Sequence, residues 1–513
     1  MTGTAGRRPN VLLLMVDQLA AAWLPAYGHR EAQAPHLSAL AREGIAFERA
    51  YCASPLCGPS RAAMLTGRLP SATGVFDNAA EWPAAMPTVV HGLRAVGYAT
   101  TLAGKMHFVG PDQLHGYEER LTTDVYPASF DWTPDWTLPA DARLPWYHNV
   151  ESLLMAGVRE SAMQTDYDDE VCFHAVRKLR ELARGGDGRP FFLTVSFTNP
   201  HDPWEVRSRH WDLYEGVDVG RPATGRATDP LSERLRQTCG LDDRPLTPEE
   251  ERRARRAYLA AVSYADERIG EVLVALENCG LAGDTIVVFT ADHGELLGEH
   301  GLWYKMSFFD PSARVPLIVR IPGGVPGRVA APVSHLDLAP TLAALTGAEL
   351  GGGELHGTSL VPVMEGGERH GDVVAEYLAE GVTEPAVMIR RGRHKYIHCG
   401  DDPDQLFDLA ADPHELGTVA DAETSAALRE ACEARWDLDG LRVRVIESQR
   451  RRHEVSRALA VGAHSPWDYH PWIDETRRFV RAGAAGRPRP GEHPLGGGLP
   501  GEWRAMRPEL PDG

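Results

Sequence analysis

The sequence lacks a long hydrophobic run and has few cysteines. Its N-terminal apolar run, residues 11–16, is too short for the hydrophobic region of a signal peptide or for a membrane span, although two arginines precede it. The seven cysteines are widely spaced and odd in number, which argues against a disulfide framework and for a reducing compartment. We therefore expect a cytoplasmic protein with no membrane partner.

Basic residues are in the minority. The chain has 53 lysines and arginines against 72 aspartates and glutamates, a net charge of −19, and no basic stripe. Because nucleic acids and anionic membranes attract basic surfaces, neither is expected as a partner. No internal repeat is evident in the sequence.

The chain is long for one hydrophobic core at 513 residues. We expect a large α/β domain over residues 1–370 and a smaller C-terminal α+β subdomain over residues 371–483. The remaining residues, 484–513, are rich in Gly, Pro and Arg and are expected to be poorly ordered. Just before this tail, Trp467, Tyr469 and Trp472 predict docking onto another subunit, so we expect a homo-oligomer, either a dimer or a tetramer.

The expected C-terminal subdomain has its own pattern of short elements. Residues 386–390 and 394–398 predict a hairpin, and residues 406–409 predict a third short strand. A helix over residues 421–435, with Asp421 as a plausible N-cap, would cover the resulting sheet.

Four apolar runs in the large domain predict strands that are buried on both faces, because their Val, Leu, Ile and Phe residues do not alternate with polar ones. These runs are residues 10–16, 98–103, 191–197 and 285–290. Patterns with helical periodicity separate them, which favours a doubly wound, mostly parallel sheet. Ligands of such sheets bind beyond the carboxyl ends of the strands, so the residues that follow the four runs should meet in one crevice.

Polar clusters follow all four runs. The cluster members are Asp17 and Gln18, Lys105 and His107, His201, and Asp292 and His293. Two carboxylates and an imidazole form a donor set suited to a divalent cation such as Ca²⁺ or Mg²⁺, and Gln18 offers a further carbonyl oxygen. Lys105, His107, His201, Arg61 and Lys305 add positive charge and proton carriers, which indicates a site for a small anion.

Taken singly, some of these residues have simpler interpretations. Asp17 could cap the next helix, His201 could be a turn residue, and Lys305 could be an ordinary solvated lysine. Their expected convergence on one crevice favours the functional interpretation.

Cys57 opens the run Cys-Gly-Pro-Ser-Arg at residues 57–61. Pro59 fits the first position of a helix and Gly67 fits its C-terminal cap, so we predict a short helix with Cys57 just before its N-terminus. Free backbone N–H groups at that end favour an anion or a developing negative charge. A lone cysteine at such a place is more commonly an inert core residue, which is the alternative interpretation.

This run resembles the Cys-x-Pro-Ser-Arg signature of the sulfatase family. The resemblance implies an alkaline-phosphatase-like fold. It also implies that a formylglycine-generating maturation enzyme oxidises Cys57 to formylglycine, whose hydrated aldehyde is the nucleophile. By the matching motifs, Asp17, Gln18, modified Cys57, Asp292 and His293 would hold a divalent metal. Residues 97–107 resemble the second family motif, which supplies Lys105 and His107, and residues 406–416 resemble the motif of the C-terminal subdomain.

The chain departs from the common sulfatase pattern at two metal-ligand positions. Most sulfatases carry Asp-Asp where this chain has Asp17-Gln18, and Asp-Asn where it has Asp292-His293. Ca²⁺ is the usual metal of the family, while the imidazole and the reduced charge leave Mg²⁺ or Mn²⁺ as alternatives.

A narrower group, the choline sulfatases and the related phosphonate monoester hydrolases, shares both departures. Further segments are similar to those of the choline sulfatases, namely residues 75–81, 104–115, 132–136, 301–309 and 465–469.

That similarity implies choline O-sulfate as the substrate. A quaternary ammonium donates no hydrogen bond, so a protein recognises it with aromatic faces and a carboxylate. We expect Trp132, Trp146 and Glu380 in this role, although tryptophans taken alone are more often packing residues. Asn78 is expected to donate a hydrogen bond to the sulfate.

The family mechanism assigns roles to the remaining residues. His201 and Lys305 are both candidate general acids for the choline leaving group, Lys105 and Arg61 balance charge on the sulfate oxygens, and His107 removes a proton in the step that releases sulfate. One alternative is a phosphonate monoester or phosphodiester hydrolase with the same nucleophile. Another, of a different class, is a noncatalytic metal-binding relative in which Cys57 stays unmodified.

Overall fold

A mostly parallel sheet of nine strands forms the centre of the molecule in the computed structural model, which describes residues 8–139 and 142–462. The strands of the described chain are β1 Asn10–Val16, β2 Ile45–Tyr51, β3 Ala99–Gly104, β4 Glu119–Arg120, β5 Gly157–Val158, β6 Phe191–Ser196, β7 Glu205–Val206, β8 Thr285–Ala291, β9 Arg314–Arg320, β10 Gly327–Val329, β11 Val333–Ser334, β12 Val373–Tyr377, β13 Ala386–Arg391, β14 His394–Cys399 and β15 Gln405–Asp408.

Helices connect most of these strands. They are α1 Pro35–Glu43, α2 Cys57–Thr66, α3 Pro70–Thr73, α4 Val89–Ala95, α5 Val150–Leu154, α6 Met163–Ala183, α7 Ser208–Trp211, α8 Pro230–Thr238, α9 Pro248–Asn278, α10 Asp310–Ala313, α11 Leu338–Thr346, α12 Val361–Met364, α13 Ala422–Arg435 and α14 Leu438–Leu459. Two groups of helices pack among themselves: α1, α6 and α9 in one, and α2, α4 and α11 in the other. None of the described helices is both long and apolar enough to cross a lipid bilayer.

The central sheet has the strand order β10-β2-β9-β8-β1-β6-β3-β4, with β11 also paired to β2. The four strands that the apolar runs predict, β8, β1, β6 and β3, are adjacent and mutually parallel. Every residue of β1, β6 and β8 is buried, which explains why their sequences do not alternate. The exception to parallel pairing is β9, which runs antiparallel to both β8 and β2. The predicted doubly wound, mostly parallel sheet is confirmed.

The C-terminal part contains a four-stranded antiparallel sheet in the order β12-β13-β14-β15. The predicted hairpin and third strand are β13, β14 and β15, and β12 is an additional strand that the sequence pattern did not reveal. Asp421 caps α13 by accepting a hydrogen bond from the backbone of Thr424, and α13 contacts β13 as expected. The division of the chain at residues 370 and 483 stays a prediction. The aromatic residues 467, 469 and 472 and the tail 484–513 lie outside the described residues.

The helix that carries Cys57 begins earlier than predicted. Cys57 is the first residue of α2, Leu56 is its N-cap, and Pro59 is the third helical residue rather than the first. Pro59 fits there because the first four N–H groups of a helix have no partner within it, so its missing N–H removes no helical hydrogen bond. Gly67 ends α2 in the left-handed conformation with φ of 68°, as expected for this cap.

All seven cysteines lie in the described part of the chain and none forms a disulfide.

Candidate active site

The carboxyl ends of the four adjacent strands bring their polar residues together. Asp17 follows β1, Lys105 follows β3, and Asp292 follows β8, while Ser196 ends β6. The side chain of Arg61 on α2 reaches all four positions, since it contacts Asp17, Asp292, the backbone of Lys105 and Ser196. The predicted crevice at this edge of the sheet therefore exists.

Four buried residues offer metal-ligand atoms at the centre of the crevice. These atoms, one each from Asp17, Cys57, Asp292 and His293, lie within 4.8 Å of one another. Cys57 Sγ is 3.2 Å from His293 Nε2 and 3.7 Å from Asp17 Oδ1. Two carboxylates, an imidazole and the residue at position 57 form a donor set that fits a divalent cation.

The orientation of His293 supports this fit. Its Nδ1 lies 3.0 Å from the carbonyl oxygen of Gly294, which accepts a hydrogen bond when Nδ1 carries the proton. Nε2 then carries no proton, faces Cys57 and Asp17, and can offer its lone pair to a metal. Metal-binding histidines are commonly held by such a hydrogen bond from the opposite ring nitrogen.

Arg61 joins the two carboxylates of the crevice. Its Nε donates to Asp292 Oδ2 at 2.8 Å, its Nη2 donates to Asp17 Oδ2 at 3.4 Å, and the residue is completely buried. Through these two contacts Arg61 fixes the carboxylates in position. A direct contact with a sulfate oxygen, as the family resemblance implies, stays a prediction.

The positive charge of the crevice alters the titration of its acids. Burial alone would raise the pKa of the Cys57 thiol, but the nearby side chains of Lys105, Lys305, His293 and His107 hold that pKa well below its ordinary value. Burial likewise opposes ionisation of Asp292, yet His293 and Arg61 keep the pKa of its carboxyl well below the usual range. The crevice therefore favours negative charge at position 57.

Lys105 and His107 both lie close to the ring of Tyr126, a residue that the sequence patterns did not indicate. The Lys105 ammonium contacts Asp17 Oδ2 and lies 4.2 Å from the ring centre of Tyr126.

His107 has a left-handed backbone, with φ of 60°, and its backbone N–H donates to Asp124 Oδ2 at 2.8 Å. The Nε2 of His107 lies 3.0 Å from the carbonyl oxygen of Asn78, and its buried Nδ1 has no hydrogen-bond partner among the described residues. This nitrogen is thus available for a proton transfer.

The two candidate general acids touch each other. Lys305 Nζ is 2.7 Å from His201 Nε2 and also donates to Gln18 Oε1. Burial would lower the pKa of Lys305, but the negative charges at Cys57, Asp202, Asp17 and Asp292 raise it overall, so the amine carries its proton. Because an ammonium only donates, His201 accepts at Nε2.

Gln18 is held by two carboxylates that the sequence did not single out. Its amide nitrogen donates to Glu295 and, at 3.1 Å, to Asp202. Its carbonyl oxygen accepts from Lys305, so the amide links the lysine to these acids. Burial raises the pKa of Glu295 to about 7. The role of Gln18 as a metal ligand stays a prediction.

Asn78 lies against the N-terminus of α2. Its Oδ1 accepts a hydrogen bond of 2.9 Å from the backbone of Gly58. This contact leaves the side-chain NH₂ group as a donor beside the crevice. A Cβ atom at Gly58 would lie only 3.3 Å from Asn78 Oδ1, so a larger residue at position 58 would have to displace the asparagine side chain slightly.

Aromatic rings form a wall beside these polar groups. Trp132 lies 6.3 Å from the His107 ring and 5.5 Å from that of Tyr126, between ring centres. Trp146 lies 6.4 Å from Trp132, and their planes differ by 15°. Both tryptophans are half-buried. This aromatic wall, defined by Tyr126, Trp132 and Trp146, contains both of the predicted tryptophans.

Glu380 is connected to the crevice by His148, which lies between Glu380 and His201. Its Oε1 is 3.0 Å from His148 Nδ1, and the ring centre of His148 is 6.3 Å from that of His201. Glu380 is buried, with 2% of its surface exposed. The structure thus brings all the predicted site residues into one neighbourhood, and their individual roles stay predictions.

A buried ion pair connects the C-terminal helix to this neighbourhood. Arg452 on α14 makes two hydrogen bonds of 2.7 Å to the carboxylate of Asp77, the residue before Asn78. It also donates to Thr133, the residue after Trp132, at 3.2 Å. Arg452 therefore supports both Asn78 and the aromatic wall, through contacts that span 375 and 319 positions of the sequence.

We expect Arg452→Met to lower the free energy of unfolding by roughly 3–5 kcal/mol, because it leaves the buried carboxylate of Asp77 unpaired. Chemical denaturation measures this loss. The matched control is Arg391→Met, which removes an equally bidentate but half-exposed pair with Asp372 and should change stability by less than about 1 kcal/mol. Equal effects of the two substitutions would contradict the role of Arg452.

Comparison with protein families matches three profiles to this chain. The Sulfatase profile matches residues 9–348, and the profile of the N-sulphoglucosamine sulphohydrolase C-terminal region matches residues 298–439. A third, described as the choline sulfatase enzyme C terminal, matches residues 443–484.

Individual relatives agree with these profiles. The choline-sulfatase of Rhizobium meliloti (strain 1021) is 47% identical over 492 residues, which is 92% of this chain and 96% of that protein. The arylsulfatase of Clostridium perfringens (strain 13 / Type A) is 27% identical, over 81% of this chain and 91% of its own. Among solved structures, the phosphonate monoester hydrolase of Agrobacterium radiobacter is similar with a TM-score of 0.66 and 27% identity, over 85% of this chain and 96% of that chain. The expected alkaline-phosphatase-like fold is confirmed.

Proposed function

Since this chain belongs to the sulfatase family and is a sulfuric ester hydrolase, we propose that its substrate is choline O-sulfate, which it converts to choline and sulfate. The aromatic wall and the Glu380 carboxylate beside the cationic crevice carry this proposal. They supply, next to an anion site, the two kinds of group that attract a quaternary ammonium. The 47% identity to the choline-sulfatase of Rhizobium meliloti supports it further.

We infer that Cys57 is converted to formylglycine by a formylglycine-generating enzyme and that a divalent cation is held by Asp17, Asp292, His293 and the modified residue 57. When present, these groups supply a hydroxyl nucleophile and a Lewis acid for the sulfate. We propose Ca²⁺ as the metal, with Mg²⁺ and Mn²⁺ as alternatives, because carboxylate oxygens suit all three ions. Gln18 is a further candidate ligand.

The residues around position 57 have distinct proposed tasks. Lys105 and Arg61 balance the charge of the sulfate oxygens, and the Asn78 NH₂ group donates a hydrogen bond to one of them. The contact between Lys305 and His201 allows one proton to be shared between them. This pair can therefore protonate the choline oxygen as it leaves, with either residue as the immediate donor.

His107 serves the release of sulfate. Its Nδ1 is unpartnered among the described residues, and His107 is one of the groups that lower the pKa of the Cys57 thiol, which supports a position beside the nucleophile. Such an imidazole can remove a proton from the side chain at position 57.

A substrate panel tests the proposed specificity. We expect kcat/KM for choline O-sulfate to exceed the values for an aryl sulfate, a sugar sulfate and a phenyl phosphonate by at least about tenfold, because those substrates carry no ammonium to place at the wall. Faster turnover of the phosphonate would instead favour a phosphonate monoester hydrolase, the alternative that the structural likeness to the Agrobacterium enzyme supports.

A neutral isostere separates recognition of charge from recognition of shape. In 3,3-dimethylbutyl sulfate a carbon replaces the ammonium nitrogen of choline sulfate. Glu380→Gln should raise KM for choline sulfate by about tenfold and leave KM for the isostere nearly unchanged. Equal changes for the two substrates would show that Glu380 does not recognise the ammonium.

We further propose that the protein works as a cytoplasmic homo-oligomer, a dimer or a tetramer. The free thiols of all seven cysteines support a reducing compartment. The aromatic residues 467, 469 and 472, which suggest the subunit contact, lie outside the described residues. Light scattering of the purified protein measures the number of subunits.

A further inference from the structure

A second polar cavity, of about 330 Å³, lies between one end of the central sheet and the C-terminal sheet. Four arginines line it: Arg49 from β2, Arg314 from β9, Arg328 next to β2 on β10, and Arg390 from β13. No residue of the catalytic crevice lines this cavity, which we call the arginine cavity. Four guanidinium groups around one cavity are unexpected in a chain with a net charge of −19.

The carboxylates of the arginine cavity already have other cationic partners. Glu48 accepts a hydrogen bond of 2.9 Å from Arg328 Nε. Asp310 accepts a hydrogen bond of 2.6 Å from Lys395, and Arg314 lies 3.9 Å from its other oxygen. Lys395 also pairs with the buried carboxylate of Glu415 at 2.7 Å. Glu48, Asp310 and Glu415 therefore face Lys395 and the four arginines, which leaves a surplus of positive charge.

Arg390 accounts for much of this surplus. The residue is 3% exposed, and both its Nε and its Nη1 are buried without a hydrogen-bond partner. Within residues 8–139 and 142–462, its guanidinium makes no ion pair or hydrogen bond, although its charge acts on Asp310 over a longer distance and helps to lower the pKa of that carboxyl. Burial of an unpaired charge is strongly unfavourable, so a chain that retains one gains when a counter-ion occupies the adjoining space.

We propose that the arginine cavity binds a small oxyanion, such as sulfate, phosphate or a small organic ester of either, with Arg390 as its principal partner. A guanidinium group presents two parallel N–H donors that match two oxygens of a tetrahedral anion. Arg49 and Arg314 lie at the same cavity and add positive charge, whereas the Tyr51 hydroxyl already donates to Asp310 Oδ2 at 3.4 Å. This site is independent of the proposed substrate and of the catalytic crevice.

Titration calorimetry of the whole protein in a buffer free of oxyanions tests the proposal. Because the catalytic crevice also attracts anions, the informative quantity is the difference between the wild type and Arg390→Met. We expect inorganic phosphate and sulfate, in separate titrations, to bind the wild type with one more equivalent, or at least about tenfold more tightly at one site, than they bind Arg390→Met. A preference for one of the two ions identifies the natural class of ligand.

Two controls keep the result specific. Arg42→Met removes the same charge from an exposed position on α1 and should leave anion binding unchanged. Arg390→Met should retain turnover and, without oxyanions, should melt at or above the temperature of the wild type, because it removes an unpaired buried charge. Phosphate should then raise the melting temperature of the wild type more than that of Arg390→Met.

Crystals soaked in selenate locate the site directly. An anomalous peak within hydrogen-bond distance of the Arg390 guanidinium supports the proposal, and selenate confined to the catalytic crevice overturns it. The proposal also fails if phosphate binds and stabilises Arg390→Met as well as it does the wild type. A lower melting temperature of Arg390→Met without oxyanions would show that Arg390 has an internal partner, which would equally overturn it.

Discussion

Cys57→Ala is expected to abolish sulfate ester hydrolysis, with a loss of at least about 10⁴-fold in kcat, because it removes the side chain from which we infer the nucleophile is made. The residue lies between the carboxylate of Asp17 and the imidazole of His293, and it is the one cysteine of that described cluster. Steady-state turnover of choline O-sulfate measures the loss.

A neighbouring cysteine provides the matched control. Cys52 is also completely buried, but burial raises the pKa of its thiol, and Cys52→Ala should keep nearly full activity. Melting temperature and metal content of Cys57→Ala should stay close to those of the wild type, which would separate lost chemistry from lost folding.

The mass of the peptide containing Cys57 distinguishes an enzyme from a noncatalytic relative. Formylglycine is lighter than cysteine, so the modified peptide from the wild type should show a lower mass than the sequence gives. An unmodified residue in an active preparation, or normal turnover by Cys57→Ala, would refute the formylglycine mechanism.

Lys305→Met is expected to reduce kcat for choline O-sulfate by about 10²–10⁴-fold, the range that a general acid contributes. The same substitution should reduce turnover of 4-nitrophenyl sulfate far less, because nitrophenolate leaves without a proton. Lys305 is buried, retains its proton beside the carboxylates of Asp202, Asp17 and Asp292, and touches His201. Comparison of the two substrates therefore measures assistance to the leaving group and not general damage to the site.

His201→Gln distinguishes the two candidate acids. If Lys305 donates the proton and His201 only orients it, His201→Gln should lose less activity on choline O-sulfate than Lys305→Met does. If His201 is the immediate donor, the order is reversed. If both variants lose equal factors of kcat with choline O-sulfate and with 4-nitrophenyl sulfate, general-acid catalysis by this pair is contradicted.

Local sequence patterns were sufficient to predict the centre of the fold. The runs that became β1, β3, β6 and β8 contain no alternation, and each lies buried between neighbours in a parallel sheet. Their polar ends were predicted to meet because strand direction in such a sheet is uniform. The prediction placed Pro59 two positions too early in its helix, since a proline tolerates any of the first helical positions.

Site residues that lie outside any local sequence pattern were not predicted. Tyr126 lies in an irregular segment, yet its ring lies beneath Lys105 and beside Trp132. Glu295 followed a recognised cluster, but its hydrogen bond with Gln18 joins residues 277 positions apart. No periodic pattern of apolar residues in the sequence predicts such contacts, because they depend on how distant segments of the chain pack.

By itself, the sequence determined which kinds of side chain end each buried strand, and hence that carboxylates, imidazoles, amines and one cysteine would share a crevice. Only the tertiary structure decided how these groups are paired: Arg61 with two carboxylates, Lys305 with His201, Arg452 with Asp77, and Arg390 with none in the described chain. The reason is physical. Strand direction and burial follow from short-range patterns of apolar residues, whereas the partner of a buried charge is chosen by the packing of segments far apart in the chain.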